Sequence, residues 1–300
     1  MMCRVLEVSR SGYHAWARRP PSPRAVADTR LSARIAVLHK LRRGVYGSPR
    51  IWADLVVDDG ERIGRKRVER LMRQAGLSGL ITKKYRSTTV RVPDVRVAED
   101  LLDRDFAAGA PNRCWVADIT YLRTWEGWLY LVAVQDLYSR RIVGWSMADH
   151  MRTELVTDAL QMALARRQPD PGLIWHSDQG SQFVSLAFGQ PARAAGIAQS
   201  MGSKGDCFDN AVAESFFATI KKKLIHRRAW PTKTELRTEI FDYIEVFYNR
   251  QRRHSTLGQR SPVDYENSPL SPSRPIDAAS RLPSPAQISF TGSSPATQVA

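Results

Sequence analysis

The sequence has few cysteines and no long apolar run. Its three cysteines, Cys3, Cys114 and Cys207, lie far apart without a CxxC pair, and no two histidines have metal-ligand spacing. Reduced thiols are therefore expected, with neither a disulfide framework nor a zinc site. The longest wholly apolar run, Trp128 to Val134, is too short to span a bilayer, and the segment before Trp16 lacks a signal-peptide core. A cytoplasmic protein without membrane contact is the expectation.

Acidic residues are scarce in the first third of the chain. Residues 1–100 hold 22 Lys and Arg against 10 Asp and Glu, which accounts for most of the net charge of +15. Such a basic region favours a polyanionic partner, and nucleic acid is preferred over membrane because no amphipathic anchor accompanies the charge. The composition, 43% hydrophobic and 25% charged, is that of a globular protein with a full core.

The sequence predicts a small helical domain at residues 28–82, after a basic lead segment and linker at residues 1–27. The stretch Pro20-Pro21-Ser22-Pro23 interrupts any helix, and helical periodicity starts near Thr29. The last predicted helix, at residues 63–73, places basic side chains outside, namely Arg65, Lys66, Arg67 and Arg70. Three short helices with a basic last one resemble a helix-turn-helix module whose final helix contacts DNA. A helical bundle with a solvated basic face is the alternative.

A charged connector at residues 83–110 leads to a predicted α/β domain at residues 111–266. Its pattern predicts three antiparallel strands, then helix, strand, helix, strand and helix, with Trp115, Trp128 and Trp145 in the core. This βββαβαβα order is that of a ribonuclease-H-like mixed sheet. A further amphipathic helix is expected C-terminal to it. Residues 267–300 are rich in Pro, Ser and Ala and are predicted to be disordered.

Three carboxylates mark the candidate site of the α/β domain. Asp118 lies within the first predicted strand. Asp178 follows the apolar run 172–175 and precedes a glycine turn, which is the usual position of a catalytic carboxylate. Glu214 lies 36 positions further on, in the helix predicted over residues 210–225.

That helix separates an apolar face from a polar one. Its apolar stripe recurs every four residues and is expected to pack on the core; it consists of Val212, Phe216, Ile220 and Leu224. Asn210, Glu214 and Lys221 fall within roughly 40° of each other on the opposite side. The acid and a cation two turns below it are therefore expected to point the same way, out of the core.

The chemistry of three converging carboxylates indicates a divalent cation. Carboxylates that approach one another repel unless a cation lies between them or one takes up a proton. Oxygen ligands from separate elements of one core suit two magnesium ions, which keep waters and substrate phosphate in their remaining positions. Two ions about 4 Å apart activate the attacking oxygen and stabilise the leaving one during displacement at phosphorus. Phosphodiester chemistry on nucleic acid is the expected activity.

The motifs around the three acids resemble the catalytic signature of the DDE transposases and retroviral integrases. They are WVADITY at residues 115–121, HSDQGSQF at 176–183 and DNAVAESFF at 209–217. The likeness is greatest to the second-frame (OrfB) transposases of bacterial insertion sequences and covers roughly residues 1–266. The resemblance implies that Asp118, Asp178 and Glu214 hold Mg²⁺ or Mn²⁺. It also implies nicking at element ends to free a 3′-hydroxyl, which then attacks another phosphodiester.

Further residues are candidates for the same site. Lys221 matches the cation that contacts terminal DNA in cores of this kind, although a solvated charge is the alternative. Arg252 and Arg253 are candidates for phosphate contacts. His176 either assists near the metals or fixes the end of a strand. Asn210 either begins its helix or supports the metal ligands.

The resemblance also implies partners and leaves two rival functions. The expected partners are element-end and target DNA, further copies of the chain in a synaptic complex, and a fused or bound first-frame helix-turn-helix protein. The expected location is the bacterial cytoplasm, at the nucleoid. The rival functions are a metal-dependent nuclease without strand transfer and a catalytically inactive DNA-binding remnant.

Overall fold

The N-terminal part of the chain is helical. The computed structural model describes residues 2–5, 7–80, 108–177, 183, 186–201 and 211–268. The N-terminal helices are α1 (Met2–Val5), α2 (Arg10–Ala17), α3 (Pro23–Leu41), α4 (Ser48–Ala53) and α5 (Arg65–Gln74), and a π-helical turn at Asp54–Asp58 continues α4. Most of the predicted connector at 83–110 and almost all of the predicted disordered tail lie outside the described residues.

Helix α3 begins six residues earlier than the periodicity predicts. Its first residue is Pro23, and the Ser22 hydroxyl accepts a hydrogen bond from the Ala25 amide at 3.2 Å. Proline is tolerated in the first turn of a helix, where its missing N–H has no intrahelical partner to lose. The proline stretch that was expected to interrupt a helix therefore starts one.

The N-terminal helices bury one apolar face. From α3 the buried residues are Leu31, Ile35 and Leu38, and from α5 they are Val68, Leu71 and Met72. Arg65 and Lys66 at the start of α5 are exposed. The predicted division of the last helix into an apolar and a basic side is confirmed.

The second part of the chain has the predicted βββαβαβα order. Its elements are β1 (Cys114–Thr124), β2 (Gly127–Asp136), β3 (Ile142–Ala148), α6 (Thr153–Arg167), β4 (Ile174–Ser177), α7 (Leu186–Ala194), β5 (Ala198–Met201) and α8 (Ala211–Lys223). After α8 come α9 (Lys233–Asp242), a π-helical continuation at Tyr243–Tyr248, and α10 (Pro262–Asn267). The predicted C-terminal amphipathic helix is thus one helix that widens in its second half.

The five strands form one mixed sheet in the order β3-β2-β1-β4-β5. The first three strands are antiparallel, and β4 and β5 add to β1 in parallel. Side chains of β2 alternate between the two faces: Val132 and Val134 pack with α6, whereas Leu129 and Leu131 pack with α8 and the π-helical segment. The fold class predicted from the sequence is confirmed.

The N-terminal helices and the α8 face of the sheet share one apolar interior. A single buried cluster runs from Ile35 and Ile51 through Leu131 to Phe216 and Tyr243. Residues 1–267 accordingly form one compact unit. The described helices include none that is long and apolar enough to cross a membrane.

Charged side chains reinforce this contact. Buried Asp54 receives hydrogen bonds from Arg42 Nε at 2.8 Å and from Arg253 Nε, and Arg253 also binds Asp58 at 2.6 Å. We call these four residues the Asp54 cluster. It joins α3 and the π-helical turn to the segment that follows Tyr248.

The expectation for one tryptophan was wrong. Trp115 is fully buried and Trp145 packs on the interior, but Trp128 is 45% exposed. Trp128 lies near the start of β2, opposite Arg123. Its place in an apolar run concealed the alternation with buried Leu129.

Candidate active site and DNA interface

Asp118 lies in the middle of β1, on the side of the sheet that α8 covers. Its neighbours Ala117 and Ile119 pack on the opposite face, and Asp118 itself is half-buried. One carboxylate oxygen accepts a hydrogen bond from the Ile119 amide at 2.7 Å. The carboxylate therefore has a fixed backbone contact and retains access to solvent.

The adjacent strand β4 brings its end to the same level. The parallel ladder between β1 and β4 runs from Cys114–Ile174 to Ala117–Ser177. The residues that follow Ala117 and Ser177 in the sequence are Asp118 and Asp178. Asp178 itself lies outside the described residues.

His176 is buried within β4. Its Nδ1 lies 3.0 Å from the Ser200 hydroxyl of β5. This contact joins two adjacent strands immediately before the end of β4. It agrees with the interpretation that His176 fixes the end of the strand.

Glu214 lies in the first turn of α8 and is exposed. Phe216, Phe217 and Ile220 on the same helix are buried in the shared interior, as the apolar stripe predicted. A carboxylate near a helix N-terminus interacts favourably with the helix dipole. The helix therefore presents Glu214 on the side away from the core. Asn210 lies outside the described residues.

Lys221 lies between the carboxylate and an exposed aromatic residue. Its Nζ lies 5.5 Å from the centre of the Tyr121 ring. The pKa of Lys221 is lowered by burial, and the negative charge of nearby Asp118 partly offsets this effect. Lys221 therefore lies within electrostatic range of Asp118, which is the placement expected of a cation beside the acids.

The basic residues of α5 differ in their surroundings. Arg65 and Lys66 are exposed. Arg67 and Arg70 both bind the carboxylate of Asp28 on α3, each at 2.7 Å. Asp28 thus neutralises part of the positive charge of α5. Arg65 and Lys66, in the first turn of the helix, keep their charge exposed to solvent.

Arg252 and Arg253 lie inside the protein rather than on an open surface. Arg253 belongs to the Asp54 cluster, and Arg252 Nη1 contacts the His254 ring at 2.6 Å. Burial, followed by the charges of Arg252 and Arg50, lowers the pKa of His254 to about 2, so this histidine is neutral. Both arginines are buried, at 8% and 7% exposure, which leaves them little surface for the expected phosphate contacts.

Lys223 is a buried cation that the sequence interpretation missed. It is only 5% exposed, and burial together with Arg252 and Arg50 lowers its pKa to about 7. Because it follows Lys221 and Lys222, the sequence suggests a solvated basic run. Only the apolar spacing of Ile220 and Leu224 gives a signal that the last turn of α8 points partly inward.

Replacing Lys223 by methionine should stabilise the protein. Above pH 10.5 the lysine is neutral both folded and unfolded, whereas below pH 7 it is charged in both states and burial disfavours the fold. The gain should therefore be greatest below pH 7 and disappear as the pH rises to about 10.5, with an upper bound of about 5 kcal/mol from the pKa difference. Urea unfolding at pH 6, 8 and 10 measures it. Exposed Lys40→Met is the control, and a gain that does not change with pH would contradict the assignment.

The part of the chain that the structure describes contains no group of three or more His, Cys, Asp and Glu residues placed to hold a metal ion. The predicted set needs Asp178, which lies outside that part. Asp118 and Glu214 are oxygen donors accessible to solvent, on elements that pack together, and oxygen donors are what Mg²⁺ prefers. These two residues fit the predicted cation.

Comparison with known proteins gives the class to which this fold and site belong. Residues 108–207 and 214–270 match two family models that are each described as an integrase core domain, and residues 27–85 match an HTH-like domain. The chain is thus an integrase-type polynucleotidyl transferase core preceded by a helix-turn-helix-like domain. This is the class that the carboxylate motifs predicted.

Curated relatives identify the family within that class. Transposase InsF for insertion sequence IS3A of Escherichia coli (strain K12) is 41% identical over 271 residues, which cover 90% of this chain and 94% of the relative. The insertion element IS600 uncharacterized 31 kDa protein of Shigella sonnei is 42% identical over 264 residues, covering 88% and 97%. The chain belongs to the family of insertion-sequence transposases, and the predicted function of DNA transposase is confirmed at this level.

The likeness to solved structures is weaker than the likeness to these relatives. The HTLV-2 integrase catalytic core domain in complex with magnesium aligns with a TM-score of 0.40 and 17% identity, over 53% of this chain and 98% of that chain. A likeness of this size supports no conclusion beyond those that the family models and the relatives already support.

Proposed function

We propose that the chain nicks the 3′ ends of its insertion sequence and joins them to target DNA at one site formed by Asp118, Asp178 and Glu214. The observation that carries this is the register of the β1–β4 ladder. The ladder ends one residue before Asp118 on one strand and one residue before Asp178 on the other. Adjacent strands lie about 5 Å apart, so we propose that Asp118, within β1, and Asp178, directly after the end of β4, lie near one another.

The third carboxylate approaches from the helix. Phe216, Ile220 and Leu224 anchor α8 against the sheet face on which Asp118 lies, and this leaves Glu214 exposed at the helix N-terminus. Asp118, Asp178 and Glu214, which are far apart in sequence and belong to three separate segments, can thus converge at one site. We propose that they bind two magnesium or manganese ions, which supply an activated attacking oxygen and charge stabilisation at the scissile phosphate.

The remaining side chains position the DNA. Lys221 offers a positive charge close to Asp118, where the phosphate adjoining the cleaved bond would lie. His176, held by Ser200, keeps the end of β4 in place. For Asn210, which lies outside the described residues, a role in supporting the metal ligands is proposed from its motif alone. Arg65 and Lys66 are the α5 residues proposed to contact the DNA backbone, because they are exposed and have no acidic partner within the described residues.

Assembly and partners complete the proposal. Joining two element ends to one target requires two active sites, so a homo-oligomer in a synaptic complex is proposed. A first-frame helix-turn-helix protein, fused or bound, would add recognition of the ends. The proposed setting is the bacterial nucleoid.

A strand-transfer assay tests the proposed function. Pre-cut end DNA with a free 3′-hydroxyl is incubated with the full chain, a supercoiled target plasmid and Mg²⁺. Covalent joining of the labelled end to the plasmid is expected. Cleavage of uncut ends without joining of pre-cut ends would instead support a metal-dependent nuclease, and binding without either reaction would support an inactive remnant.

A further inference from the structure

The hairpin between β1 and β2 carries an exposed set of aromatic and basic side chains to which no role has been assigned. Trp125 is 76% exposed, Tyr121 61% and Trp128 45%. Together with the segment after α8 they line a groove of about 510 Å³. We call it the hairpin groove. Large aromatic side chains clustered at a surface in this way are uncommon unless they contact a ligand or partner.

The aromatic rings of the groove are arranged with cations over them. Tyr121 and Trp128 meet edge to face, with ring centres 5.2 Å apart. The Arg123 guanidinium lies 5.8 Å from the centre of the Trp128 ring, and Lys221 Nζ lies 5.5 Å from that of Tyr121. These cation–π contacts hold positive charge beside ring surfaces that remain accessible.

The charge of the groove favours an anionic ligand. No acidic residue is among those that line it in the described part of the chain. The carboxylate of neighbouring Glu126 is engaged elsewhere, where it accepts a hydrogen bond from the Lys233 amide at 2.8 Å. Arg228, which also lines the groove, is paired with Glu235 and Glu239. Arg123 and Lys221 are therefore the cations available to a ligand.

Lys221 links the groove to the proposed active site. Lys221 contacts Tyr121 and also lies within range of the Asp118 charge. Asp118 and Tyr121 are three residues apart on β1, about 10 Å along the strand, and their side chains point to opposite faces. Lys221 is therefore the residue that the site and the groove share. A DNA strand whose phosphate lies at Asp118 would thus pass Lys221 to reach the hairpin.

We propose that the hairpin groove binds unpaired bases at the end of the DNA, which stack on Trp128 and Trp125 while Arg123 and Lys221 contact the adjoining phosphates. This inference rests on the proposed function for the position of the DNA. Bases inside a duplex are stacked on both sides and the last pair offers one face only, whereas unpaired bases can offer both faces to these side chains. Alternating aromatic and basic side chains are typical of surfaces that bind single strands without reading sequence.

Fluorescence of 2-aminopurine tests the inference. The probe is a duplex with a three-nucleotide unpaired end that carries 2-aminopurine, mixed with the full chain in EDTA so that no cleavage is needed. Quenching is expected on binding, together with roughly tenfold tighter binding than to a blunt duplex. The double variant Trp125→Ala/Trp128→Ala should lose both effects, and Trp128→Phe should retain them. Trp16→Ala removes an equally exposed tryptophan of α2 and should behave as the unmodified chain.

Three results would overturn the inference. The first is unchanged quenching in the double variant. The second is equal affinity for an end whose unpaired nucleotides lack bases. The third is a sedimentation mass of the double variant that differs from that of the unmodified chain, which would make the groove an interface between copies of the chain. Failure of the proposed function is recognised separately. A chain that binds and quenches the probe but never cleaves would contradict the proposed function alone, and one that cleaves without quenching would contradict the hairpin groove alone.

Discussion

Replacing Asp118 by asparagine should reduce both end cleavage and strand transfer by roughly a thousandfold, because a neutral amide removes a charged oxygen ligand and several kcal/mol of stabilisation at the reacting phosphate. The change keeps the size of the side chain, so the fold should be retained. Cleavage of labelled end DNA in Mg²⁺ is the measurement. Asp178→Asn and Glu214→Gln should behave in the same way.

The control for this experiment is another exposed carboxylate. Glu154→Gln removes an equal charge from α6, on the other face of the sheet, and should cleave at the unmodified rate. Binding of end DNA in EDTA should persist in Asp118→Asn, since its cations are unchanged. A variant that still cleaves within tenfold of the unmodified rate would refute the proposed site.

Asp54→Asn should destabilise the protein by about 3–5 kcal/mol, which is the usual consequence of removing one partner from a buried ion pair. Asp54 is fully buried, and its loss would leave the guanidiniums of Arg42 and Arg253 without their shared carboxylate. Urea unfolding measures the effect. Arg253→Met added to Asp54→Asn should cost less than the sum of the two single changes, because the residues interact directly.

An exposed ion pair provides the comparison for Asp54. Glu61 binds Arg30, whose side chain is 66% exposed, and Glu61→Gln should leave the unfolding midpoint unchanged because exposed pairs stabilise little. If both variants unfolded at the same urea concentration, the Asp54 cluster would not stabilise the contact between α3 and the C-terminal segment.

Local pattern was sufficient for most of the fold. The apolar strand segments at β1 and β2 and the four-residue spacing in α8 depend on neighbours in sequence, and these predictions describe elements that surround the candidate site. The structure confirms the resulting order of strands and helices. The site residues remain a prediction because Asp178 lies outside the described residues.

The features that sequence could not give depend on distant contacts. Arg253 binds Asp54, which is 199 positions away in the sequence. The neighbouring residues of Arg253 therefore do not distinguish it from an exposed arginine that could bind phosphate. Lys223 is only 5% exposed, and the charges that lower its pKa besides its burial are those of Arg252 and Arg50, which are distant in sequence. Trp128 is 45% exposed while its neighbour Leu129 is fully buried, a difference that an unbroken apolar run does not reveal.

The single interior shared by the N-terminal helices and the sheet fixes the spacing between two proposed contacts with the DNA. Since α5 cannot swing away from β1 without opening that interior, the proposed backbone contact at Arg65 and the proposed cleavage at Asp118 would keep a constant separation. Inserting about 5 base pairs, half a helical turn, between the two would turn the scissile phosphate to the far side of the duplex. Inserting a whole turn would restore its direction but not its distance, so this enzyme should tolerate neither.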